Sequence, residues 1–228
     1  MTCEIIQTGS KGNAVLLDGS LLLDCGVPFK LLEGCWQELK LVLLTHIHGD
    51  HFNRATLARL AKERPSLRFG CCEWLLGPLA TLGIQKSRID VYEPGTWYSY
   101  GAVMISPFAV FHDVENCGYR VKAGGESALY VTDTGSLDGV EAKGYDLYMI
   151  EANYEDEEIR QRLQSKLERG EYAYEYRAMA GHLSKEKADA WLAENAVPGS
   201  RYVYLHGHDQ GALQAREEGI PDWAEGSW

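Results

Sequence analysis

The amino-acid sequence predicts a layered α/β fold, built as a single domain over residues 1–228. Short strands and amphipathic helices are predicted alternately through the chain, which is typical of sheets covered by helices. With 228 residues and 45% hydrophobic residues, the chain is long enough to bury one large core. No low-complexity tract, internal repeat or linker rich in Pro, Gly and Ser divides it.

The first half of the chain is predicted to consist mainly of strands. Short strands are expected at residues 4–7, 14–18 and 21–24, and a nearly continuous apolar run covers 39–45. Such a run indicates a strand that is buried on both faces. A helix is expected at 53–62, because Asn53 can cap its first turn. Its apolar stripe consists of Ala55, Leu57, Leu60 and Ala61.

The second half interleaves strands with two longer helices. Strands are expected at residues 67–71, 102–111, 128–132, 147–151 and 202–206, and helices at 155–169 and 184–195. Ser184 can cap the last helix, although Lys187 stands where a capping-box Glu would complete the motif. Strand ends and the loops after them are the expected positions of functional side chains.

The charge distribution argues against a long basic groove for nucleic acid. The formal net charge is −11, and residues 1–70 hold eight Lys or Arg against seven Asp or Glu, so nearly all the acidity lies in the rest of the chain. A phosphate substrate is still compatible with this charge, since bound divalent cations would supply local positive charge.

The amino terminus and the cysteines favour a cytoplasmic protein. The first residues lack the basic stretch and the apolar run of a signal peptide, and no run is long enough to span a membrane. The six cysteines show no Cys-x-x-Cys spacing, so free or buried thiols in a reducing compartment are expected. We therefore expect no membrane partner, and the oligomeric state stays open.

The segment Thr45-His46-Ile47-His48-Gly49-Asp50-His51 is the strongest chemical signal. His46 and His48 are two residues apart at a strand end, which places both imidazoles on one face, while Asp50 and His51 lie on the turn into the next helix. Imidazole and carboxylate together suit zinc, manganese or iron, and the lack of paired cysteines argues against a closed structural zinc site. A surface histidine cluster is the alternative, but the segment lies between an apolar strand and an amphipathic helix.

The other histidines and two aspartates also lie at strand ends or at loop starts. These residues are Asp24, His112, Asp133, His182, His206 and His208. Taken singly, a histidine in such a position is more often structural than a ligand. Their shared placement favours one common site, and a carboxylate that bridges two cations is a recurring feature of two-metal hydrolysis.

Together these motifs resemble the five ordered motifs of the metallo-β-lactamase superfamily. The resemblance runs from about residue 8 to residue 210 and rests on Asp24, His46, His48, Asp50, His51, His112, Asp133 and His206. It implies a four-layer αββα sandwich. It also implies a metal-dependent hydrolase in which two divalent cations, zinc or manganese, activate a hydroxide.

The resemblance further implies a ligand set for the two cations. The first would bind His46, His48 and His112, and the second would bind Asp50, His51 and His206. Asp133 would bridge the two cations together with a water or hydroxide. Asp24 would orient the ligands from behind without touching a cation.

Four segments resemble the YycJ-type (WalJ-type) branch, whose members are regarded as DNA exonucleases and phosphodiesterases. They are residues 8–13, 130–135, 150–153 and 181–184. Only 72 residues separate Asp133 from His206, too few for the large inserted clamp domain of RNA-processing relatives. The branch usually continues differently after the last strand, whereas this chain continues as His206-Gly207-His208, so His206 and His208 are both candidates for the last ligand.

Glu151 and His182 are candidate catalytic residues, together with Asp50. Phosphodiester cleavage requires a proton for the leaving oxygen as well as a nucleophile, and the tRNA 3′-processing branch has a similar Glu and His pair. The alternatives are a solvated strand-end charge for Glu151 and a helix-cap neighbour for His182.

Candidate substrate contacts lie in two segments and beyond the last strand. They are Ser10, Lys11, Asn13, Arg177 and His208. The first three lie in a glycine-bounded turn that could donate to phosphate, although a plain tight turn explains the glycines equally well. Tyr172, Tyr174 and Tyr176 precede Arg177; such rings can stack on bases, but packing is the commoner role.

The leading hypothesis is a metal-dependent phosphodiesterase or nuclease that acts on DNA ends. A phosphodiesterase for small cyclic nucleotides is the first alternative, because the chain is acidic and offers few basic residues. A lactone or thioester hydrolase is the second, although it would not need Glu151 and His182. A non-catalytic module would not require a complete ligand set. The native metal, the cleavage polarity and the choice between DNA and RNA stay open.

Overall fold

The computed structural model describes residues 1–207 of the chain. Its strands are β1 Cys3–Gln7, β2 Ala14–Leu17, β3 Leu21–Leu23, β4 Leu41–Leu44, β5 Arg68–Cys72, β6 Ile89–Tyr92, β7 Tyr98–Tyr100, β8 Val103–Val110, β9 Asn116–Ala123, β10 Glu126–Val131, β11 Leu147–Glu151 and β12 Arg201–Leu205. Its α-helices are α1 Arg54–Glu63, α2 Leu76–Thr81, α3 Asp156–Glu168, α4 Glu175–Gly181 and α5 Lys185–Asn195.

The strands form two six-stranded mixed sheets. The first sheet has the order β1-β2-β3-β4-β5-β6, and the second has the order β12-β11-β10-β9-β8-β7. In the first sheet the pairs from β3 to β6 are parallel, and in the second the pairs β10-β11 and β11-β12 are parallel. The carboxyl ends of parallel strands lie at one edge of a sheet, which is where α/β folds usually bind ligands.

Three apolar cores separate four layers. One core lies between the first sheet and α1, one lies between the two sheets, and one lies between the second sheet and α5. Strand β4 shows how the sequence produces this layering: Val42 and Leu44 face the helix-side core, whereas Leu41 and Leu43 face the other sheet. Both faces of β4 are buried, which explains its unbroken apolar run. The predicted αββα sandwich is confirmed.

Side-chain caps begin two of the predicted helices. The Asn53 side chain accepts a hydrogen bond from Thr56 N (3.0 Å) before α1, and Ser184 Oγ accepts one from Lys187 N (3.3 Å) before α5. The predicted apolar stripe of α1 was partly wrong, because Ala55 is exposed and Thr56 is buried in its place. The Thr56 hydroxyl satisfies its hydrogen bond on the carbonyl of Val27 (2.7 Å) and can therefore be buried.

Several elements were not predicted, namely β6, β7, β9, α2 and α4. Strand β9 shows the reason, because polar residues and a glycine interrupt its apolar pattern. Gly118 is required at its position, since a Cβ there would collide with the ring of Phe108 on β8. A glycine in a strand that permits such a close approach resembles a turn signal in the sequence alone.

No helix within residues 1–207 is long and apolar enough to cross a membrane.

Candidate metal centre

The predicted ligands meet where loops from both sheets converge. The side chains form four overlapping groups. Within each group, every residue offers one ligand atom, and these atoms lie within 4.8 Å of one another. The groups are His46-His48-His112, His46-His51-Asp133, Asp50-His51-His206 and Asp133-Glu151-His182-His206. All seven residues that the sequence marked as ligands therefore belong to one continuous cluster.

The loop after β4 carries four of these residues and is held on two sides. The Tyr119 hydroxyl, from the second sheet, donates to the carbonyl oxygen of Leu44 at the end of β4 (2.6 Å). Gly26, after β3, lies so close to the loop that a Cβ would collide with the carbonyl of Asp50. The loop is therefore packed backbone against backbone, and only glycine fits at position 26.

His46 is oriented by a short relay behind the cluster. The Thr45 hydroxyl donates to Asp24 Oδ1 (2.9 Å) and accepts from His46 Nδ1 (2.9 Å). Nε2 of His46 is buried and has no hydrogen-bond partner. Burial lowers the pKa of His46 far below its ordinary value. The side chain is thus a neutral imidazole whose unshared electron pair points into the cluster, as a metal ligand requires.

His48 and His112 face each other across the first group. Nε2 of His112 lies 3.3 Å from Nδ1 of His48, and Nδ1 of His112 donates to the carbonyl oxygen of Gly181 (3.1 Å). With the proton on Nδ1, His112 directs an unshared pair from Nε2 towards His48. A cation between the two rings would satisfy both.

Asp24 supports the cluster from the core between the sheets. It is fully buried and accepts hydrogen bonds from the backbone N of Thr45 (2.9 Å), from the Tyr130 hydroxyl (2.8 Å) and from His51 Nδ1 (2.7 Å). The bond to His51 turns the opposite ring nitrogen, Nε2, towards Asp133. Asp24 therefore lies behind the candidate ligands, and orienting partners in such a position tune metal ligands.

Asp133 lies between the candidate groups. Its Oδ2 is 2.6 Å from His51 Nε2, and its Oδ1 is 3.2 Å from His182 Nδ1 and 3.5 Å from His206 Nε2. Burial alone would raise the pKa of this carboxyl group, but His51 and His206 outweigh it and hold the pKa well below the usual range. Asp133 is therefore an anion with one oxygen directed to each side of the cluster.

His51 lies between two carboxylates of the cluster, Asp24 and Asp133. Burial lowers the pKa of the His51 imidazole, yet the charges of Asp133 and Asp24 outweigh it and raise that pKa well above its ordinary value. The acidic groups of the cluster therefore require positive charge between them. Divalent cations would supply that charge and release the protons.

Three residues of the site have backbone dihedrals in the left-handed region. The φ angles are 57° at Asp24, 53° at Asp133 and 60° at His206, and each residue directly follows or nearly follows a strand. Positive φ is uncommon for residues other than glycine and costs on the order of 1–3 kcal/mol. The fold tolerates this strain at three strand ends where the chain must turn a side chain into the cluster.

Glu151 and His182 form a pair beside Asp133. Oε1 of Glu151 lies 2.6 Å from Nδ1 of His182, and Oε2 accepts from the backbone N of Thr134 (2.8 Å). Burial lowers the pKa of His182, but hydrogen bonds to Asp133 and Glu151 outweigh it and raise that pKa to about 10. Bound cations would draw on the same Asp133 carboxylate and reduce the shift.

A cavity of about 770 Å³ opens above the cluster. Its floor includes His48, Asp133 and His182, and α4 with the segment before it forms one wall. A cavity of this size is typical of small-molecule sites.

The predicted substrate contacts divide between the cavity and its surroundings. Ser10 and Arg177 line the cavity, whereas Lys11 is exposed outside it. Asn13 is buried, and its side-chain amide bonds to Gly9 and to the loop after β4, so it holds the turn instead of facing the cavity. His208 lies outside the described residues, and His206 occupies the cluster.

Comparison with known sequences decides the family. A sequence profile of the beta-lactamase superfamily domain matches residues 21–206, which is most of the chain. The chain belongs to the metallo-β-lactamase superfamily. The resemblance in the sequence is thereby confirmed at the level of the superfamily, whose members are metal-dependent hydrolases. No curated protein matches the sequence significantly.

Solved structures share this metallo-β-lactamase fold at low sequence identity. The metallo-β-lactamase fold protein YhfI from Bacillus subtilis is 19% identical with a TM-score of 0.70. The match covers 92% of this chain and 87% of YhfI. The short form of human tRNase Z is 17% identical with a TM-score of 0.70, and the match covers 97% of this chain and 100% of tRNase Z. Zn²⁺-bound PqqB from Methylobacterium extorquens is 16% identical with a TM-score of 0.65, and the match covers 91% of this chain and 89% of PqqB.

The side chains at the site that were not predicted include Asp113, Phe111 and Tyr130. Asp113 Oδ1 lies 3.3 Å from His48 Nε2 and 3.2 Å from His112 Nε2, and Phe111 lines the cavity. Both neighbours of His112 could have been noted from their position at the end of a predicted strand and just after it. Tyr130 could not, because only the pairing of the two sheets brings its hydroxyl to Asp24.

Proposed function

We propose that the protein is a phosphodiesterase that uses two divalent cations, zinc or manganese, and cleaves at the ends of DNA strands. The observation that carries this proposal is the Glu151–His182 pair, with its 2.6 Å contact, on the floor of the cavity beside Asp133. Hydrolysis of a phosphodiester needs a proton for the leaving oxygen, and this pair offers one. Human tRNase Z, named as a nuclease, shares the fold and supports the same class of reaction.

The cluster has the donors for two cations. His46, His48 and His112 would hold the first cation, and Asp50, His51 and His206 would hold the second, with Asp133 shared between them. When bound, such cations activate a water for attack and neutralise charge on the phosphate. The unpartnered Nε2 of His46 and the acidic oxygens of Asp133 fit this use.

His182 would deliver the proton. Its Nδ1 is held by Glu151 Oε1, which leaves Nε2 as the nitrogen that can donate to the leaving oxygen. Glu151 is fully buried and anchored on the backbone N of Thr134, so it fixes the ring and stabilises its positive charge. General acid catalysis of this kind is worth about 10²–10⁴-fold in rate.

A phosphodiesterase for small cyclic nucleotides is the second candidate. Arg177 is the only Lys or Arg that lines the cavity among residues 1–207, and it lies 3.5 Å from Asp113. Few cations are then available for the phosphates of a long strand. This feature favours a strand end or a small nucleotide over the middle of a duplex.

One substrate panel tests the proposal. Protein loaded with zinc or manganese would be incubated with linear DNA, RNA, a cyclic nucleotide and a lactone, with metal-depleted protein as the control. We expect metal-dependent release of nucleotides from DNA ends. Hydrolysis of the cyclic nucleotide alone would establish the second candidate. Good lactone turnover without phosphodiester turnover would contradict the proposal, because a carbonyl substrate does not need the Glu151–His182 pair.

A further inference from the structure

Three exposed aromatic rings line the cavity. Phe111 is 75% exposed, Tyr172 is 76% exposed and Tyr174 is 41% exposed, and all three line the cavity. Single exposed aromatic residues are common, but several around one functional cavity indicate a binding surface. Tyr176 is also 58% exposed, yet it does not line the cavity.

The rings are placed by elements that also build the cluster. Phe111 immediately precedes His112 after β8, and Tyr172 and Tyr174 lie in the segment between α3 and α4. Lys166 on α3 places its ammonium 3.8 Å from the centre of the Tyr174 ring and 2.9 Å from Glu175 Oε1. Lys166 therefore covers one face of the Tyr174 ring, and the buried carboxylate of Glu175 balances the charge of Lys166.

The cavity wall offers little positive charge of its own. Arg177 is the only Lys or Arg that lines the cavity within the described residues, and its guanidinium lies 3.5 Å from Asp113 Oδ2. Phosphate binding would therefore depend on the cations at the floor. Any further affinity for a nucleotide must come from groups that recognise something other than phosphate charge.

We propose that Phe111, Tyr172 and Tyr174 form a stacking subsite for an unpaired nucleobase next to the scissile phosphate. The proposal rests on the proposed phosphodiesterase function and names the part of the substrate that the wall recognises. A nucleobase fits because every base has a flat π-face that stacks on an aromatic ring without sequence preference. A base within a duplex is already stacked, so the subsite selects frayed or single-stranded ends.

Two small phosphodiesters with the same leaving group test the subsite. Thymidine 5′-(p-nitrophenyl phosphate) carries a base, and methyl p-nitrophenyl phosphate does not. The measurement is the ratio of their kcat/KM values on the metal-loaded enzyme. We expect Phe111→Leu and Tyr172→Leu each to lower this ratio by about 5- to 100-fold, the usual range for losing one stacking partner.

Tyr176→Leu is the matched control, because it removes an exposed tyrosine of the same region from outside the cavity. It should keep the wild-type ratio. A ratio near unity for the wild type, or a ratio unchanged in both Phe111→Leu and Tyr172→Leu, would overturn the subsite. A fall of equal size in Tyr176→Leu would also overturn it, because it would indicate a general disturbance of the segment.

Failure of the proposed function would be distinguishable from failure of the subsite. If the wild type hydrolyses neither ester, the phosphodiesterase assignment fails. Binding of fluorescently labelled oligothymidylate to the metal-loaded protein would then be compared with that of an abasic strand of equal length. Equal affinities would overturn the subsite as well. Tighter binding of oligothymidylate that is lost in Tyr172→Leu would support it.

Discussion

The two sheets supply the cluster in different ways. The first sheet provides His46, His48, Asp50 and His51 from one short loop after β4. The second sheet provides single residues from separate strand ends, His112 after β8, Asp133 after β10, and His206 after β12. One half of the site is therefore a local property of the chain, and the other half exists only when strands far apart in sequence are paired in register.

This difference predicts how each half responds to change. The loop after β4 is held mainly from the first sheet, since Asp24 at the end of β3 binds both Thr45 and His51, and Tyr119 adds one contact from the second sheet. The residues from the second sheet are held by each other and by α4, through contacts such as His112 with Gly181. Damage to the first half should remain local, whereas damage to Asp133 should reach both cations.

The largest effect is expected for Asp133→Ala. Asp133 directs one oxygen to each side of the cluster, so its loss should lower the occupancy of both cations together. Loss of a proton donor typically lowers the rate by about 10²–10⁴-fold, and activity should fall here by at least as much. Elemental analysis and turnover would be measured side by side. Loss of one cation only would mean that Asp133 binds a single cation as a terminal ligand. The two halves of the site would then depend less on each other.

His182→Ala should come next, and its effect should depend on the leaving group. We expect both cations to stay bound and turnover of a DNA end to fall by about 10²–10⁴-fold. An aryl phosphodiester, whose leaving group needs no proton, should be impaired much less. Equal losses on both substrates would indicate a structural role, and reduced metal content would make His182 a ligand.

Asp24→Asn should have an intermediate effect on metal affinity. It weakens the hydrogen bond that orients His51, and changes of this kind typically cost about 10–100-fold in affinity or activity. Tyr130→Phe, which removes a single donor to Asp24, should have a smaller effect in the same direction. Competition with a chelator would measure both.

Tyr148→Phe is the control for this pair. Tyr148 is also a buried tyrosine of the second sheet, but its hydroxyl bonds to Ala142 and Asn195, away from the cluster. It should lower stability without changing metal affinity. A loss of affinity in Tyr148→Phe equal to that in Tyr130→Phe would mean that the sheet as a whole, and not the contact to Asp24, sets the affinity.

Lys11→Ala should have the smallest effect. The side chain is exposed and does not line the cavity. Changes at such surface positions usually stay within about 0.5 kcal/mol in stability, and kcat/KM on a DNA end should be unchanged. A clear rise in KM would show that strands longer than the cavity also contact the turn after β1.

The sequence was most informative where the structure is local. The apolar run of β4 and the cap of α1 frame the loop from His46 to His51, and spacing alone suggested that its side chains converge. Placement at strand ends then brought in His112, Asp133 and His206, the superfamily resemblance implied their roles as ligands, and the structure places them in the same cluster. The assignment to the YycJ-type branch stays a prediction.

Other parts could not be predicted because they depend on pairing at long range. Strand β9 has a mixed polar sequence and becomes a strand through β8 and β10 on either side. Asn13 was a reasonable candidate for contacting phosphate, yet the packing of its turn against the loop after β4 buries its amide. Likewise, only the folded chain shows that Tyr174 lines the cavity while Tyr176 does not.

The number of cations per chain tests the central claim most directly. Wild-type protein would be purified, saturated with zinc or manganese, freed of excess metal and measured by elemental analysis against protein concentration. The seven clustered ligands predict two cations per chain, falling to about one in a variant that removes both His48 and His112. A wild-type value that stays at one or below under saturation would contradict the dinuclear site and the mechanism built on it.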